Sequence, residues 1–423
     1  MAAFLSLRQI MKGNVLILTV SRVLWSISDS INMPYLSLYI IFLGGDATTV
    51  GWVNAVGAMA AAILYPIGGY IADKAGRARL VGVATLAYTT SFAVFALANS
   101  WYALAFAYAY QQVVLFYMPA LNAIMADSIP VGARGKVYSV TVAIPNAVRI
   151  IAPYFGGFLI ALLTLQPAMR VGYTLALGIG CVVAFLRIRY LKETVDNKEK
   201  IGRNPAMILG EGYRTVFTSL RWVFSNIKGY TVVALLLSLV GSLVIPFWIV
   251  YAKEIIGIDA YGWGLILLVG GMTNTITSLI VGNLVDKVGP KKCMMISFVL
   301  ALPAMGLFTL ASTFLHVVLI WLLIMVASSF LWISSTVYLA DTVPRQIRGR
   351  IMAGVGQGVS FGVSGGGYAS GFILFIPMTI GNLVGGYIYT FNPQLPWMIQ
   401  VVALLLALVL TFLIVKDPEK QEK

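Results

Sequence analysis

The chain has 423 residues, 60% of them hydrophobic and only 10% charged, with a mean hydropathy of +0.90 and a formal net charge of +14. Soluble domains carry about 25% charged residues, and no water-soluble fold hides this much apolar surface. Cys181, Cys293 and the single His316 stand far apart, so no disulfide framework, thiolate or histidine metal site, cofactor anchor or convergent catalytic set is expected, and the chain is not read as an enzyme.

A basic start, Arg8 and Lys12, precedes a first apolar run over 15–43. That run is longer than a signal-peptide core and lacks a small-residue cleavage site, so it is expected to stay as a spanning helix. Further runs follow at 50–72, 80–99, 101–126, 137–163, 171–191, 229–256, 262–285, 293–312, 316–340, 368–391 and 396–415. Each holds about 20 residues or more, enough to cross a hydrocarbon layer of about 30 Å at about 1.5 Å per residue. The expectation is an all-α membrane protein with twelve transmembrane helices. If every second connection is cytoplasmic, all but four of the 29 Lys and Arg lie on that side, the exceptions being Arg22, Arg149, Arg170 and Lys253. This positive-inside pattern predicts a multi-pass protein of the cell membrane with both termini cytoplasmic, and it explains the net charge without nucleic acid.

The chain also repeats itself. Gly69, Asp73, Lys74, Gly76 and Arg77 stand in GYIADKAGRAR, and Gly282, Asp286, Lys287 and Gly289 stand in GNLVDKVGPKK. Farther along, ADSIPVGARGK around Asp127 and Arg134 returns as ADTVPRQIRGR around Asp341 and Arg348. Pro34 with Tyr39 is echoed by Pro246 with Tyr251. Two pseudo-symmetric six-helix bundles are implied, 1–191 and 229–423, joined by a cytoplasmic linker over 192–228. In that linker Tyr213, Phe217, Leu220, Phe224 and Ile227 recur at helical spacing beside Arg214, Arg221 and Lys228, which predicts an amphipathic helix on the membrane surface. Glycines crowd 354–371, an insertion of the second half at the entrance to its eleventh helix; no GxGxxG or Walker spacing occurs there, so nucleotide binding is not expected.

These motifs resemble the loop between helices 2 and 3 of the major facilitator superfamily, and the resemblance covers essentially the whole chain. It implies secondary active transport by alternating access. It also implies that Asp73, Arg77 and Asp127 form a cytoplasmic charge cluster clasping the bundles in the outward-open state. The second copy departs from the pattern, with Pro290 in place of the arginine and Lys291 and Lys292 after it. Ala152, Pro153, Gly156 and Gly157 look like a degraded proline-glycine motif of drug–proton antiporters, and also suit close helix packing with a small kink. Those antiporters carry an arginine three residues before a glutamine; here Tyr108 precedes Gln111.

Charges inside the apolar runs bring the sequence nearest to mechanism. Asp29 in the first run and Arg149 in the fifth fall near mid-membrane, where a lone charge costs roughly 3 kcal/mol. Arg22 lies two turns before Asp29, about 10 Å away on the same face, with Trp25 between them. The alternatives are a permanent Asp29–Arg149 ion pair that fixes packing, or a proton-accepting Asp29 with an arginine that holds an anionic group. Asn32, Tyr35, Asn146, Trp248, Asn274 and Trp332 are expected to line a solute cavity, although such residues also pack between helices. The working expectation is a monomer that moves a small-molecule substrate, drug-like or metabolite, with a proton or another co-transported ion. An uptake symporter or exchanger of an organic anion, or a non-transporting sensor of the same fold, would share these features.

Overall fold

The computed structural model describes residues 11–129, 134–194, 205–361 and 371–417. Among these there are helices and turns but no strands. The helices are α1 Gly13–Asn32, α2 Leu36–Phe42, α3 Ala47–Ala75, α4 Arg77–Leu97, α5 Trp101–Val114, α6 Met118–Ser128, α7 Arg134–Leu163, α8 Leu165–Tyr190 and α9 Pro205–Asn226. The second half supplies α10 Lys228–Val244, α11 Trp248–Tyr251, α12 Ala260–Val288, α13 Pro290–Phe308, α14 Phe314–Thr342, α15 Arg345–Val355, α16 Phe372–Phe391 and α17 Leu395–Ile414. Eleven helical stretches of the described residues are long and apolar enough to cross a membrane. The stretch that falls short is α1, diluted by Arg22, Asp29 and four serines; with α1 and α2 as the first crossing, the twelve-helix expectation is met.

Several apolar runs are broken where the sequence reads as continuous. Short 3-10 turns at Met33–Tyr35 and Ile245–Phe247 carry Pro34 and Pro246, each of which removes a backbone donor. A third such turn, Leu115–Tyr117, precedes Pro119. The helix after each of the first two breaks ends near a left-handed glycine, Gly44 (φ 91°) or Gly257 (φ 85°), a conformation that glycine adopts without steric cost. Two residues later an aspartate caps the next helix: Asp46 accepts the N–H of Thr49 at 2.7 Å and Asp259 that of Gly262 at 2.7 Å. The repeat is therefore written in backbone geometry as well as in residue identity. Gly76 and Gly289, which precede α4 and α13, share a φ of 95°.

By packing, the chain falls into two units, Met1–Met33 with Ile63–Arg214, and Pro34–Ala62 with Thr215–Lys423. The division cuts across the sequence halves: α2 and the first part of α3 pack with the second half. In the first unit α1 packs on α7 and α8, and α4 on α8. In the second, α10 packs on α16 and α17, and α13 on α17, the same three pairings shifted by one repeat. Trp25, Tyr88, Phe92 and Tyr173 form an aromatic layer in the first unit. Trp248, Phe308, Trp321 and Trp397 form one in the second, with ring centroids 4.4 to 5.4 Å from Trp248.

The linker helix α9 begins at Pro205, whose fixed φ suits a first helical turn. It buries Val223 and exposes Phe217 and Phe224, Ile227 just past its end is buried, and the Tyr213 hydroxyl donates to the Ile63 carbonyl at 2.7 Å. Of the glycine-rich stretch, residues 362–370 lie outside the described residues; Gly371 opens α16 against the backbone of Gly354 and Gly356.

Candidate functional site

Helix α1 enters the first unit as a polar helix, with three of its hydroxyls satisfied by its own backbone. Thr19, Ser26 and Ser28 donate to the carbonyls of Val15, Arg22 and Leu24 one turn earlier. Asp29 has no hydroxyl to spare and stays half-buried, within electrostatic reach of Arg149 on α7 and of Tyr108 on α5. No ion pair joins Asp29 to Arg149; the guanidinium acts on the carboxylate through space. Tyr108 lies in turn within hydrogen-bonding reach of Gln112. Two turns down α1, Arg22 donates to the side chain of Asn122 on α6 at 3.2 Å. A carboxylate, a phenol and two arginines thus share the interior of one bundle, each half-buried, an arrangement that can exchange a proton and hold an anionic group.

Trp25 sits between these charges and packs edge-on to Tyr88 at 4.9 Å. Over its ring, 5.7 Å from the centroid, stands the guanidinium of Arg187, a residue that the sequence does not single out. Arg187 is 2% exposed, donates to the Thr85 hydroxyl at 2.8 Å, and has no carboxylate of the described residues within ion-pair distance. Near the end of an apolar run, beside Arg189, it reads as one more flanking positive charge. Its burial is visible only once α4 and α8 are packed.

The other expected cavity residues divide. Asn146 is exposed and Trp332 half-buried. Asn32 is buried, its amide filling the notch left by Gly172 of α8. Tyr35 and Trp248 are 0% and 1% exposed in the second unit, within packed cores. Asn274 donates to the Ser329 hydroxyl at 2.9 Å and to the Met325 carbonyl at 3.2 Å, stapling α12 to α14.

On the basic-loop side of the first unit, Arg77 pairs with Asp127, bringing together two of the expected cluster residues. Glu193, which the sequence does not flag, completes the cluster: its carboxylate accepts the main-chain N–H of Arg77 at 3.0 Å and of Ala78 at 3.4 Å, capping α4. Asn14 ties in the same region, donating to Ser128 at 3.1 Å and to the Lys192 carbonyl at 2.9 Å. Gly69, Asp73 and Lys74 lie on α3 and Arg134 opens α7, but their side chains fall outside the described residues. In the second copy Asp286 and Lys287 are exposed at the end of α12, near the open Gly282 and the left-handed Gly289. Asp341 is half-buried, and Arg348 caps the end of α14 by donating to the carbonyls of Ala340 at 2.6 Å and Val343 at 3.1 Å. The two copies therefore share backbone and differ in charge chemistry.

The family model described as the Major Facilitator Superfamily matches residues 18–272 and 230–423. The chain belongs to this superfamily. Its similar proteins include the multi-drug resistance efflux pump PmrA of Streptococcus pneumoniae, 23% identical over 292 residues that cover 68% of this chain and 70% of that one. A Na(+), Li(+), K(+)/H(+) antiporter of Planococcus maritimus is 24% identical over 353 residues, 76% and 80% of the two chains. A solved bacterial homolog of the human lysosomal transporter Spinster superposes with TM-score 0.68 at 14% identity, covering 95% and 96%, which speaks for the fold. As a major facilitator protein the chain is a multi-pass membrane transporter of the secondary kind and not an enzyme. Within that superfamily the helix 2–3 loop of the first half keeps its glycine and arginine, while the second-half loop departs at Pro290.

Proposed function

We propose that the protein is a proton-coupled secondary transporter that moves a small organic solute by alternating access, with Asp29 as the proton-accepting group. The observation that carries this reading is the half-buried carboxylate of α1 facing Arg149 without a bonded ion pair. An opposite charge nearby favours the ionised form of a carboxylate, the more so the closer it stands. A movement that changes its distance to Arg149 changes its proton affinity, which is what coupling requires. Similarity to a multidrug efflux pump and to a cation/proton antiporter supports export of drug-like solutes against protons. Arg22 and Arg149, both half-buried, favour a second reading in which the solute is an organic anion. In either case the bundles 1–191 and 229–423 are the moving halves, both termini face the cytoplasm, and the monomer is the working unit.

The test is flux into proteoliposomes under an imposed pH gradient, run against a panel of lipophilic cations and small organic anions. Uphill movement of one class that collapses with a protonophore is expected. Tight binding without flux of any panel member would instead favour a sensor.

A further inference from the structure

The second copy of the loop motif ends in Pro290, Lys291 and Lys292, and the structure puts the two lysines to different uses. Lys291 donates its ammonium to the Phe412 carbonyl at 3.1 Å, closing the end of α17. Lys292, one residue on, is exposed and stands at the mouth of a groove of about 580 Å³ between α13 and α17. Every other residue that lines the groove is apolar, among them Met295 and Val299 from α13 and Leu408, Phe412 and Leu413 from α17. Val299 is 55%, Phe412 63% and Leu413 67% exposed, so the groove opens outward, where the bilayer lies against a multi-pass protein.

We propose that this groove binds one anionic phospholipid of the leaflet on the basic-loop side, with its phosphate on Lys292 and an acyl chain along α13. The charge is complementary and correctly placed, because Lys292 lies in the first turn of α13 and Phe412 in the last turns of α17, at the same membrane edge. From Lys292 to Leu300 the groove follows α13 for about 12 Å, enough for much of one acyl chain. The first half shows what an anion does at the matching place. There the Glu193 carboxylate lies three residues past α8 and caps α4; in the second half Asp417, three residues past α17, bonds to none of the described residues, and the first turn of α13 has neither a side-chain cap nor an acidic residue. A lipid phosphate supplies from outside the charge that the first half supplies from the chain. Acyl contacts give little selectivity, since lipid tails are as apolar as the groove. Headgroup charge gives the preference, about five-fold for one lysine at the membrane surface. The inference rests on the membrane placement alone and not on which solute moves.

The experiment is native mass spectrometry of the full chain extracted from bilayers of equal parts phosphatidylglycerol and phosphatidylcholine, counting retained lipids. Wild type is expected to retain phosphatidylglycerol about five-fold over phosphatidylcholine. Lys292→Gln is expected to abolish that preference, and Val299→Trp, which fills the groove without altering charge, to lower retention of both lipids. Arg221→Gln, which removes an exposed cation of α9, should leave the preference intact. An unchanged preference in Lys292→Gln, no lipid lost in Val299→Trp, or an equal loss in Arg221→Gln would each overturn the site.

Discussion

The carboxylate of Glu193 accepts the main-chain N–H of Arg77 at 3.0 Å, so the helix that carries the loop motif is capped from a residue more than a hundred positions away. Glu193→Ala leaves the first donors of α4 to water. Loss of such a cap costs about 1 kcal/mol, so hydrogen exchange at Arg77 and Ala78, the two amides it holds, should accelerate about five-fold. Exchange that stays at the wild-type rate would mean that the carboxylate adds nothing to what water already provides.

A second prediction concerns the meeting of α3 and α16 within the second unit. A Cβ on Gly51 would lie 2.6 Å from the Asn382 carbonyl and 2.9 Å from Gly386 Cα. The Thr48 and Thr390 hydroxyls are 3.0 Å apart nearby, and Trp52 donates to the Tyr387 hydroxyl at 3.1 Å. Gly51→Val should therefore destabilise by about 1–3 kcal/mol through overpacking. Thr48→Ala, which removes one hydrogen bond, should cost about 1 kcal/mol or less. Thermal melting in detergent ranks the two, and a milder effect at Gly51 would contradict the close approach.

Asp46 gives a pH dependence with a definite sign. Its carboxylate accepts both the N–H and the hydroxyl of Thr49 at 2.7 Å, and these bonds hold it below the ordinary carboxylate range. A group depressed in this way contributes stability that is fully present above its unfolded value of about 3.9 and is lost as pH falls through the folded value. The stability gap between wild type and Asp46→Ala, about 1 kcal/mol at neutral pH, should therefore persist down to about pH 4 and shrink only below it. Melting curves across pH check this; a gap already gone near about pH 6 would remove the carboxylate as its source.

Arg187 is the buried cation for which stability and function should part. Its Thr85 bond and its place over Trp25 return less than the desolvation of a guanidinium that pairs with no carboxylate among the described residues. Arg187→Met should melt at or above the wild-type temperature. Transport should slow, because Trp25 lies one turn before Asp29 on α1 and loses the cation that holds it. A melting loss worth about 3 kcal/mol or more would instead make Arg187 a structural residue.

Much of this architecture is legible in the residues themselves. Gly76 and Gly289 stand at one place in the two loop motifs and share one positive φ, because a tight turn there suits a residue without Cβ, whereas the breaks at Pro34 and Pro246 interrupt runs that read as continuous. What the chain order does not reveal is which face of an apolar helix meets another helix, since a membrane helix is apolar towards lipid and towards protein alike. Trp248 and Tyr35 thus lie in packed cores although their residue types suit a cavity equally well. Glu193 and Arg187 escape notice for a related reason: charged residues are ordinary at the ends of apolar runs, and only the fold shows that one caps α4 and the other is buried.

Whether Asp29 couples protons to transport is decided by solute accumulation in proteoliposomes carrying Asp29→Asn, under an imposed pH gradient and at equilibrium exchange. Uphill accumulation is expected to disappear while downhill exchange continues, because the variant keeps the shape of the site and loses its proton-accepting carboxylate. Arg149→Gln, measured alongside, should weaken an anionic solute more than a neutral or cationic one. Uphill accumulation that survives Asp29→Asn with its pH dependence unchanged would mean that Asp29 does not couple protons to transport.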